Sequence, residues 1–240
     1  MKPMVRSNIC LNSHPQGCKQ EVLNQIAYTK SVKEKTDKLA GKHRNIKNVL
    51  VLGCSTGYGL ASRITAAFAY GADTIGVSFE KEGTEKKFGT PGWYNNMAFD
   101  AEAKKAGLFS TTLNGDAYSD EVKAEVIKLA KEHNMKFDLV VYSLASPVRT
   151  DPDTKVLYRS VIKPIGKDFS GVTFDTMTGE MKEITAEAAN EEEIANTVKV
   201  MGGEDWERWI KQMMKADVLA DGCMTVAYSY IGPEVSQAIY

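Results

Sequence analysis

Short apolar runs alternate with helical patterns along most of this chain. Residues 48–53 form a continuous apolar run that ends in a glycine, which is typical of a strand buried on both faces of a parallel sheet. Similar runs predict the later strands, at residues 72–80, 108–113, 137–144 and 224–230. Helical patterns predict the helices between the first four strands, at residues 60–70, 93–106 and 120–133. This alternation predicts an α/β fold with a Rossmann-like, doubly wound parallel sheet.

The segment around residues 147–190 interrupts this alternation. It contains several prolines and glycines and only short β-like pieces, at 156–162 and 172–174. We interpret it as an insertion on the substrate side, at the sheet edge where loops cover ligands. Further helices are predicted at residues 18–42, at 191–201 with Asn190 as N-cap, at 204–215 and after Pro233. Residues 1–240 are predicted to form a single domain.

The composition is that of an ordinary globular protein. The 240 residues are 43% hydrophobic and carry a formal net charge of −1, which argues against a disordered or nucleic-acid-coating protein. No apolar run approaches the ~20 residues of a membrane span, and no secretory signal is visible at the N-terminus. The four cysteines are too few for a disulfide framework in a chain of this length. We therefore expect a cytoplasmic protein that has no nucleic-acid partner and does not span a membrane.

Cys10, His14 and Cys18 form the one spacing in the chain that resembles a metal site. Pro15 and Gly17 interrupt the spacing, and no fourth ligand lies nearby in the sequence. We expect a loop that enters a helix here, and no metal.

A glycine-rich turn between the first strand and its helix carries the strongest functional signal. Such a turn needs one glycine to reverse the chain, one to let a pyrophosphate approach the backbone, and one to pack the helix on the strand. The following helix N-terminus offers free N–H groups to the phosphates. The candidate cofactor residues in this turn are Gly53, Cys54, Ser55, Thr56, Gly57 and Tyr58, which Gly59 follows. The alternative is a glycine-tightened turn that binds no ligand.

Glu80 ends the second predicted strand and is preceded by Phe79. A carboxylate there can accept hydrogen bonds from the adenosine ribose and would repel a 2′-phosphate, which favours NADH over NADPH. The alternative is a solvated surface charge. The loops after the third and fourth strands reach the same edge of the sheet, where adenine and the nicotinamide ribose are expected. Their candidate residues are Asp116, Ala117, Leu144 and Ala145.

The Tyr-x-x-x-Lys motif of short-chain dehydrogenases is absent, which counts against a carbonyl-reducing enzyme of that class. Tyr118 with Lys123, and Tyr158 with Lys163, miss the spacing by one residue, and we expect both to be surface pairs. Two tyrosines near the end of the chain, Tyr230 and Tyr240, remain as candidates; the alternatives are a strand-end aromatic and an ordinary helix residue.

Several longer blocks closely resemble the FabV-type trans-2-enoyl-CoA and enoyl-ACP reductases of bacteria, and the resemblance extends over essentially the whole chain. These blocks are the glycine turn and residues 6–18, 92–96, 142–151, 200–206 and 227–233. The resemblance implies an enlarged short-chain-dehydrogenase fold, usually monomeric, that uses NADH to reduce the C2–C3 double bond of an enoyl thioester. The substrate would be enoyl-CoA or enoyl-ACP, in fatty-acid synthesis or short-chain acyl-CoA metabolism.

The resemblance also implies roles for individual residues. The family's catalytic tyrosine matches Tyr240, and its substrate-contacting tyrosine matches Tyr230. The family's lysine, spaced by eight residues from the tyrosine, has no counterpart because the sequence stops at Tyr240. We therefore expect a C-terminally truncated reductase with little turnover by residues 1–240 alone. A dinucleotide-binding module without chemistry is the second hypothesis.

Overall fold

A parallel sheet of five strands forms the centre of the molecule, as seen in a computed structural model that describes residues 5–6, 9–10, 13–40, 46–175 and 177–229. The described strands are β1 (Val5–Arg6), β2 (Ile9–Cys10), β3 (Asn48–Leu52), β4 (Asp73–Ser78), β5 (Ser110–Asn114), β6 (Phe137–Tyr142), β7 (Val148–Thr150), β8 (Leu157–Arg159), β9 (Phe169–Asp175), β10 (Glu180–Ala186) and β11 (Leu219–Ala227). The described helices are α1 (Pro15–Ala40), α2 (Gly57–Tyr70), α3 (Pro91–Lys105), α4 (Asp120–Glu132), α5 (Glu191–Met201) and α6 (Glu204–Lys215).

The strand order of the central sheet is β5-β4-β3-β6-β11, and every pair of neighbours is parallel. The chain moves outward from β3 to β5, then returns to the centre and moves outward the other way through β6 and β11. The carboxyl ends of β3 and β6 therefore form the switch point, where open α/β sheets bind their ligands. The predicted doubly wound parallel sheet is confirmed.

Strand β3 shows why its sequence is apolar without alternation. Val49 and Val51 belong to a cluster with Ala66 of α2, whereas Leu50 and Leu52 belong to one with Trp209 of α6. All four β3 side chains are fully buried, because helices cover both faces of the sheet.

Helix α1 extends the layer on the α2 face. Val22 and Ile26 pack with Ile64 of α2 and Phe99 of α3. The helix begins after His14, whose Nδ1 accepts a hydrogen bond of 2.9 Å from the backbone N–H of Gly17. His14 thus acts as a helix cap.

A buried arginine connects α2 to the outer strands. The Arg63 guanidinium donates to Thr112 Oγ1 at 2.7 Å and to the Thr111 carbonyl at 2.8 Å, and it pairs with Asp100 of α3 at 3.1 Å. Gly76 leaves the room it needs, because a β-carbon there would lie 2.6 Å from Arg63 Nη1. The polar sequence of β5 follows from this contact.

The predicted insertion consists mainly of two antiparallel hairpins, β7–β8 and β9–β10. Asn190 then caps α5 in a reciprocal box with Glu193: Asn190 Oδ1 accepts from the Glu193 N–H at 2.9 Å, and the Glu193 carboxylate accepts from the Asn190 N–H at 3.0 Å. The helix predicted after Pro233 lies outside the described residues. No described helix is both long and apolar enough to cross a membrane.

Candidate functional site

The principal site is a cavity of about 610 Å³ at the carboxyl ends of the central strands, where it spans the switch point between β3 and β6. Its volume lies in the range of small-molecule sites. Nearly every predicted cofactor residue lines it: Gly53, Ser55, Thr56, Gly57, Tyr58, Phe79, Glu80, Asp116, Ala117, Leu144 and Ala145. Cys54 does not line it.

Two glycines of the turn stand where a side chain has no room. Gly53 has φ of 82°, and a β-carbon on it would lie 2.1 Å from the Ser143 carbonyl oxygen. A β-carbon on Gly59 would lie 1.9 Å from the Gly53 carbonyl oxygen. The turn therefore packs directly against the backbone that follows β6, and α2 packs directly against the turn.

The N-terminus of α2 opens toward the cavity. The N-cap residue, Thr56, is exposed, and its side chain makes no capping hydrogen bond to any part of the chain that the structure describes. The first turn of α2 holds no acidic residue. Its N–H groups and positive dipole end are thus available to an anionic group in the cavity.

Cys54 lies beneath the cavity floor. Its thiol is fully buried, 3.7 Å from Arg63 Nη1 and 3.6 Å from Asn96 Oδ1. Burial raises the pKa of this thiol. Because its backbone N–H also bonds to the Val77 carbonyl at 3.1 Å, Cys54 joins the turn to β4. The predicted cofactor contact of Cys54 stays a prediction.

Glu80 is held in place by its main chain and its side chain. The Asn114 side-chain amide makes two hydrogen bonds to the Glu80 backbone: it accepts from the Glu80 N–H at 2.8 Å and donates to the Glu80 carbonyl at 2.9 Å. The Ser55 hydroxyl donates to Glu80 Oε1 at 2.5 Å. Gly92, near the start of α3, leaves space for this carboxylate, since a β-carbon there would lie 2.1 Å from Oε1.

The loop after β5 forms the wall beyond Glu80. Asp116 Oδ1 accepts from the Tyr118 N–H at 2.9 Å, and the Asp116 carbonyl accepts from the Ser119 N–H at 3.0 Å. Behind this wall lies Lys123, which is fully buried. Our expectation that Tyr118 and Lys123 form a surface pair is therefore wrong: the ammonium turns inward and bonds to the Tyr118 carbonyl at 2.9 Å, not to its hydroxyl.

Burial dominates the electrostatics behind the loop. It lowers the pKa of Lys123, although the Asp205 carboxylate 2.8 Å away opposes that shift. It raises the pKa of Asp205, against which Lys123 and the Tyr142 hydroxyl act. Burial also raises the pKa of Tyr118 to about 12, so this phenol is neutral at ordinary pH.

Tyr58 and Tyr228 bound the other side of the site. Their rings lie 5.8 Å apart, and the Tyr228 hydroxyl is 2.7 Å from the Ser62 hydroxyl. A smaller adjoining cavity is lined by both tyrosines, by Ser143, Leu144 and Ala145, and by Ser229. Sequence reasoning did not single out Tyr228, and its position two residues before Tyr230 is the signal that could have found it. Tyr230 and Tyr240 lie outside the described residues.

The insertion supplies the last wall through Val148, Thr150 and Leu157. Between the first two, Arg149 points the opposite way and is buried. Its guanidinium donates to the Lys199 carbonyl at 2.7 Å, and its Cζ lies over the Tyr118 ring, 5.9 Å from the ring centroid. Strand alternation is the signal for this inward arginine. Within the described residues, no group of three or more His, Cys, Asp or Glu side chains could hold a metal ion.

The residues present fit a dinucleotide. The glycine turn leaves open space that side chains would fill, and α2 offers its N-terminus to phosphates. Glu80 lines the cavity beside this turn, where the ribose next to the phosphates would lie. The cavity extends from these groups in two directions. One end is lined by the loop after β5, and the other by Leu144 and Ala145.

Two models of known protein families match this sequence, and together they cover nearly all of it. The model for the "NAD(P)H binding domain of trans-2-enoyl-CoA reductase" matches residues 1–85, and the model for the "Trans-2-enoyl-CoA reductase catalytic region" matches residues 87–240. The chain belongs to the trans-2-enoyl-CoA reductase family. The boundary between the two models falls between β4 and α3, and strands on both sides of it share the central sheet.

Individual relatives agree with this assignment. The chain is 67% identical to the trans-2-enoyl-CoA reductase [NADH] of Treponema denticola and 56% identical to the enoyl-[acyl-carrier-protein] reductase [NADH] of Saccharophagus degradans. All 240 residues align with each, covering 60% and 59% of those proteins. The chain thus spans about 60% of the length of the curated relatives it matches.

Solved structures show the same fold. The T. denticola reductase in complex with NAD superimposes with a TM-score of 0.94, over 100% of this chain and 60% of that one. The trans-2-enoyl-CoA reductase of Clostridium acetobutulicum in complex with NADH superimposes with a TM-score of 0.89 at 44% identity, over 100% and 58%.

Proposed function

We propose that this chain binds NADH in the cavity at the switch point and belongs to an enzyme that reduces the C2–C3 double bond of trans-2-enoyl thioesters. The single observation that carries this proposal is the pairing of the glycine turn with Glu80 across the Ser55 hydrogen bond. The turn fits a pyrophosphate, and the carboxylate fits a ribose with free hydroxyls. The activities for which the T. denticola and S. degradans relatives are named supply the substrate class.

Different residues would bind different parts of the cofactor. The N-terminus of α2 would hold the pyrophosphate, Glu80 the adenosine ribose, and Leu144 with Ala145 the nicotinamide side. When bound, NADH supplies the hydride that reaches C3 of the enoyl group. Negative charge then develops on the thioester oxygen, and a preorganised hydrogen-bond donor there lowers the barrier.

Tyr240 is the proposed donor to that oxygen, and Tyr230 is proposed to help hold the carbonyl. A neutral phenol can donate to the developing oxyanion and then give its proton to the enolate, and the saturated thioester is complete once that proton is on C2. The thioester would be carried by CoA or by acyl carrier protein. We infer that the enzyme acts as a cytoplasmic monomer in fatty-acid synthesis or short-chain acyl-CoA metabolism.

The test has a binding step and a turnover step. Calorimetric titration of residues 1–240 with NADH and NADPH should show binding with preference for NADH. Loss of NADH absorbance is then followed with crotonyl-CoA, on residues 1–240 and on the same residues joined to the C-terminal part of the T. denticola reductase. We expect turnover in the joined chain.

Tyr240→Phe in the joined chain should lower kcat severely and leave the Kd for NADH unchanged. Tyr28→Phe, at an exposed position on α1, is the matched control and should alter neither. Binding of NADH without turnover in any chain would favour the dinucleotide-binding module. Absence of NADH binding would refute the proposed function altogether.

A further inference from the structure

The buried ammonium group of Lys123 binds several backbone carbonyls behind one wall of the cavity. Lys123 Nζ donates to the carbonyl oxygens of Ala117 and Tyr118, each at 2.9 Å, and to that of Ser119 at 3.4 Å. It also pairs with Asp205 Oδ1 at 2.8 Å. These carbonyls belong to the residues just before α4, and Lys123 lies in the first turn of that helix. The lysine thus folds back on the loop from which its own helix begins.

Helix α6 supports this arrangement from the other side. The second oxygen of Asp205 accepts from the Tyr142 hydroxyl at 3.0 Å, at the end of β6. One turn further along α6, the buried Trp209 indole donates to the Ala117 carbonyl at 3.0 Å. The Ala117 carbonyl therefore receives hydrogen bonds from Lys123 and from Trp209. Within the 116–118 loop itself, the hydrogen bonds join only residues close in sequence. Lys123, Asp205 and Trp209 connect this loop to α4, α6 and β6.

The position of the loop decides what it would touch. The glycine turn follows β3, Glu80 follows β4, and the 116–118 loop follows β5, so the three lie in this order along one sheet edge. If the pyrophosphate lies at the first and the ribose at the second, the adenine lies at the third. Asp116, Ala117 and Tyr118 all line the cavity there.

We propose that Lys123 and Asp205 are positioning residues that fix the 116–118 loop as the adenine wall of the cofactor cavity. This inference rests on the proposed function and extends it to residues that do not line the cavity. The pair acts through the backbone that it holds. Its loss should therefore weaken binding of the adenine half of the cofactor and leave binding of the nicotinamide half unchanged.

The first experiment is calorimetric titration of Lys123→Met with NADH and, separately, with AMP, which carries the adenine half alone. If the variant loop keeps its arrangement in about a tenth of the molecules, both Kd values rise about tenfold, by the same factor. Lys136→Met is the matched control: it removes an exposed lysine that pairs with Asp217 at 2.8 Å where β6 begins and α6 has ended. Its Kd values should stay unchanged. An unchanged Kd for AMP in Lys123→Met overturns the proposal.

The second variant separates positioning from stability. Lys123→Met leaves a buried carboxylate unpaired and should lower Tm. Adding Asp205→Asn removes that charge and still offers an acceptor to Tyr142, so Tm should recover. Under the proposal the Kd for AMP stays raised in the double variant, because the carbonyls still lack the ammonium. Recovery of the Kd together with Tm would show a purely structural role.

Amide hydrogen exchange tests the same point without any ligand. The N–H groups of Tyr118 and Ser119 bond within the loop, to Asp116. In Lys123→Met their exchange should accelerate, while that of Val140 in the central sheet should not. Uniform acceleration, or none, overturns the proposal. If the unsubstituted chain binds neither NADH nor AMP, the proposed function fails, and this exchange pattern still decides whether Lys123 positions the loop.

Discussion

The Ser55 hydroxyl donates a hydrogen bond of 2.5 Å to Glu80 Oε1, and this contact joins the glycine turn to the end of β4. Ser55 is itself fixed, because the Asn95 amide donates to its carbonyl at 2.9 Å. The Asn114 amide holds the backbone of Glu80. The carboxylate is thus held in one position beside the glycine turn, and under the proposed function a ribose would meet an acceptor that is already in place.

The first prediction concerns cofactor choice. Glu80→Ala should raise affinity for NADPH relative to NADH by about tenfold, equivalent to about 1.4 kcal/mol. The carboxylate would repel a 2′-phosphate, and its removal uncovers the N-terminus of α3, whose first turn holds no acidic residue. Titration of both cofactors measures the ratio. Glu82→Ala, an exposed neighbour with the same charge, should leave the ratio unchanged, and an unaltered ratio in Glu80→Ala would contradict the ribose role.

The second prediction concerns the close approach of Gly59 to Gly53. Gly59→Ala should abolish NADH binding, since its β-carbon would lie 1.9 Å from the Gly53 carbonyl oxygen and push the turn out of shape. Gly71→Ala is the control at the other end of α2: φ there is 70°, and no described atom lies within 4 Å of a β-carbon. It should cost about 1 kcal/mol of unfolding free energy and leave Kd alone. NADH titration with thermal unfolding distinguishes the two, and normal affinity in Gly59→Ala would refute the assigned turn.

The sequence was sufficient to predict the fold and the cavity because both depend on local signals. The apolar run of β3 reports burial on both faces, and the glycine turn reports a close approach that only glycine permits. The sequence predicts Asn190 as the N-cap of the helix over residues 191–201, because asparagine is a preferred capping residue, and the structure confirms it.

What the sequence did not predict depends on contacts between distant residues. Lys123 and Asp205 are 82 positions apart, and nothing local distinguishes this lysine from a surface one. Arg63 similarly reaches Thr112 of β5 from α2, and only the unusual polarity of β5 hints at it. In both cases a buried charge is recognised only once its partners are placed in space.

The third prediction concerns the buried ion pair on the α2 face. Arg63→Met should lower the free energy of unfolding by about 3 kcal/mol. Asp100 would lose its countercharge, and Thr74 of β4 and the Thr111 carbonyl of β5 would lose their hydrogen-bond donor. Lys105→Met removes an exposed ion pair of α3 with Glu102, and should cost less than about 1 kcal/mol. Urea unfolding measures both. Equal losses in the two variants would show that burial of the Arg63 pair contributes nothing.

The last prediction concerns acid unfolding. Arg208 of α6 donates to both oxygens of Asp120, at 2.9 and 2.6 Å, and these bonds lower the pKa of Asp120 to about 2 from its ordinary value of 3.8. The unfolded chain therefore binds a proton at higher pH than the folded one. This contribution to stability is complete above about pH 4 and is lost as the pH falls toward about 2.

Asp120→Asn should accordingly flatten the fall in unfolding free energy across that window, by a modest amount because the side chain is partly exposed to screening solvent. The measurement is urea unfolding of the chain and the variant at successive pH values from about 5 to about 2. Glu121→Gln removes the same charge from the exposed neighbouring position in the first turn of α4, and serves as the control. A slope in Asp120→Asn as steep as in the unsubstituted chain would mean that the pair with Arg208 does not hold α4 against α6 in solution.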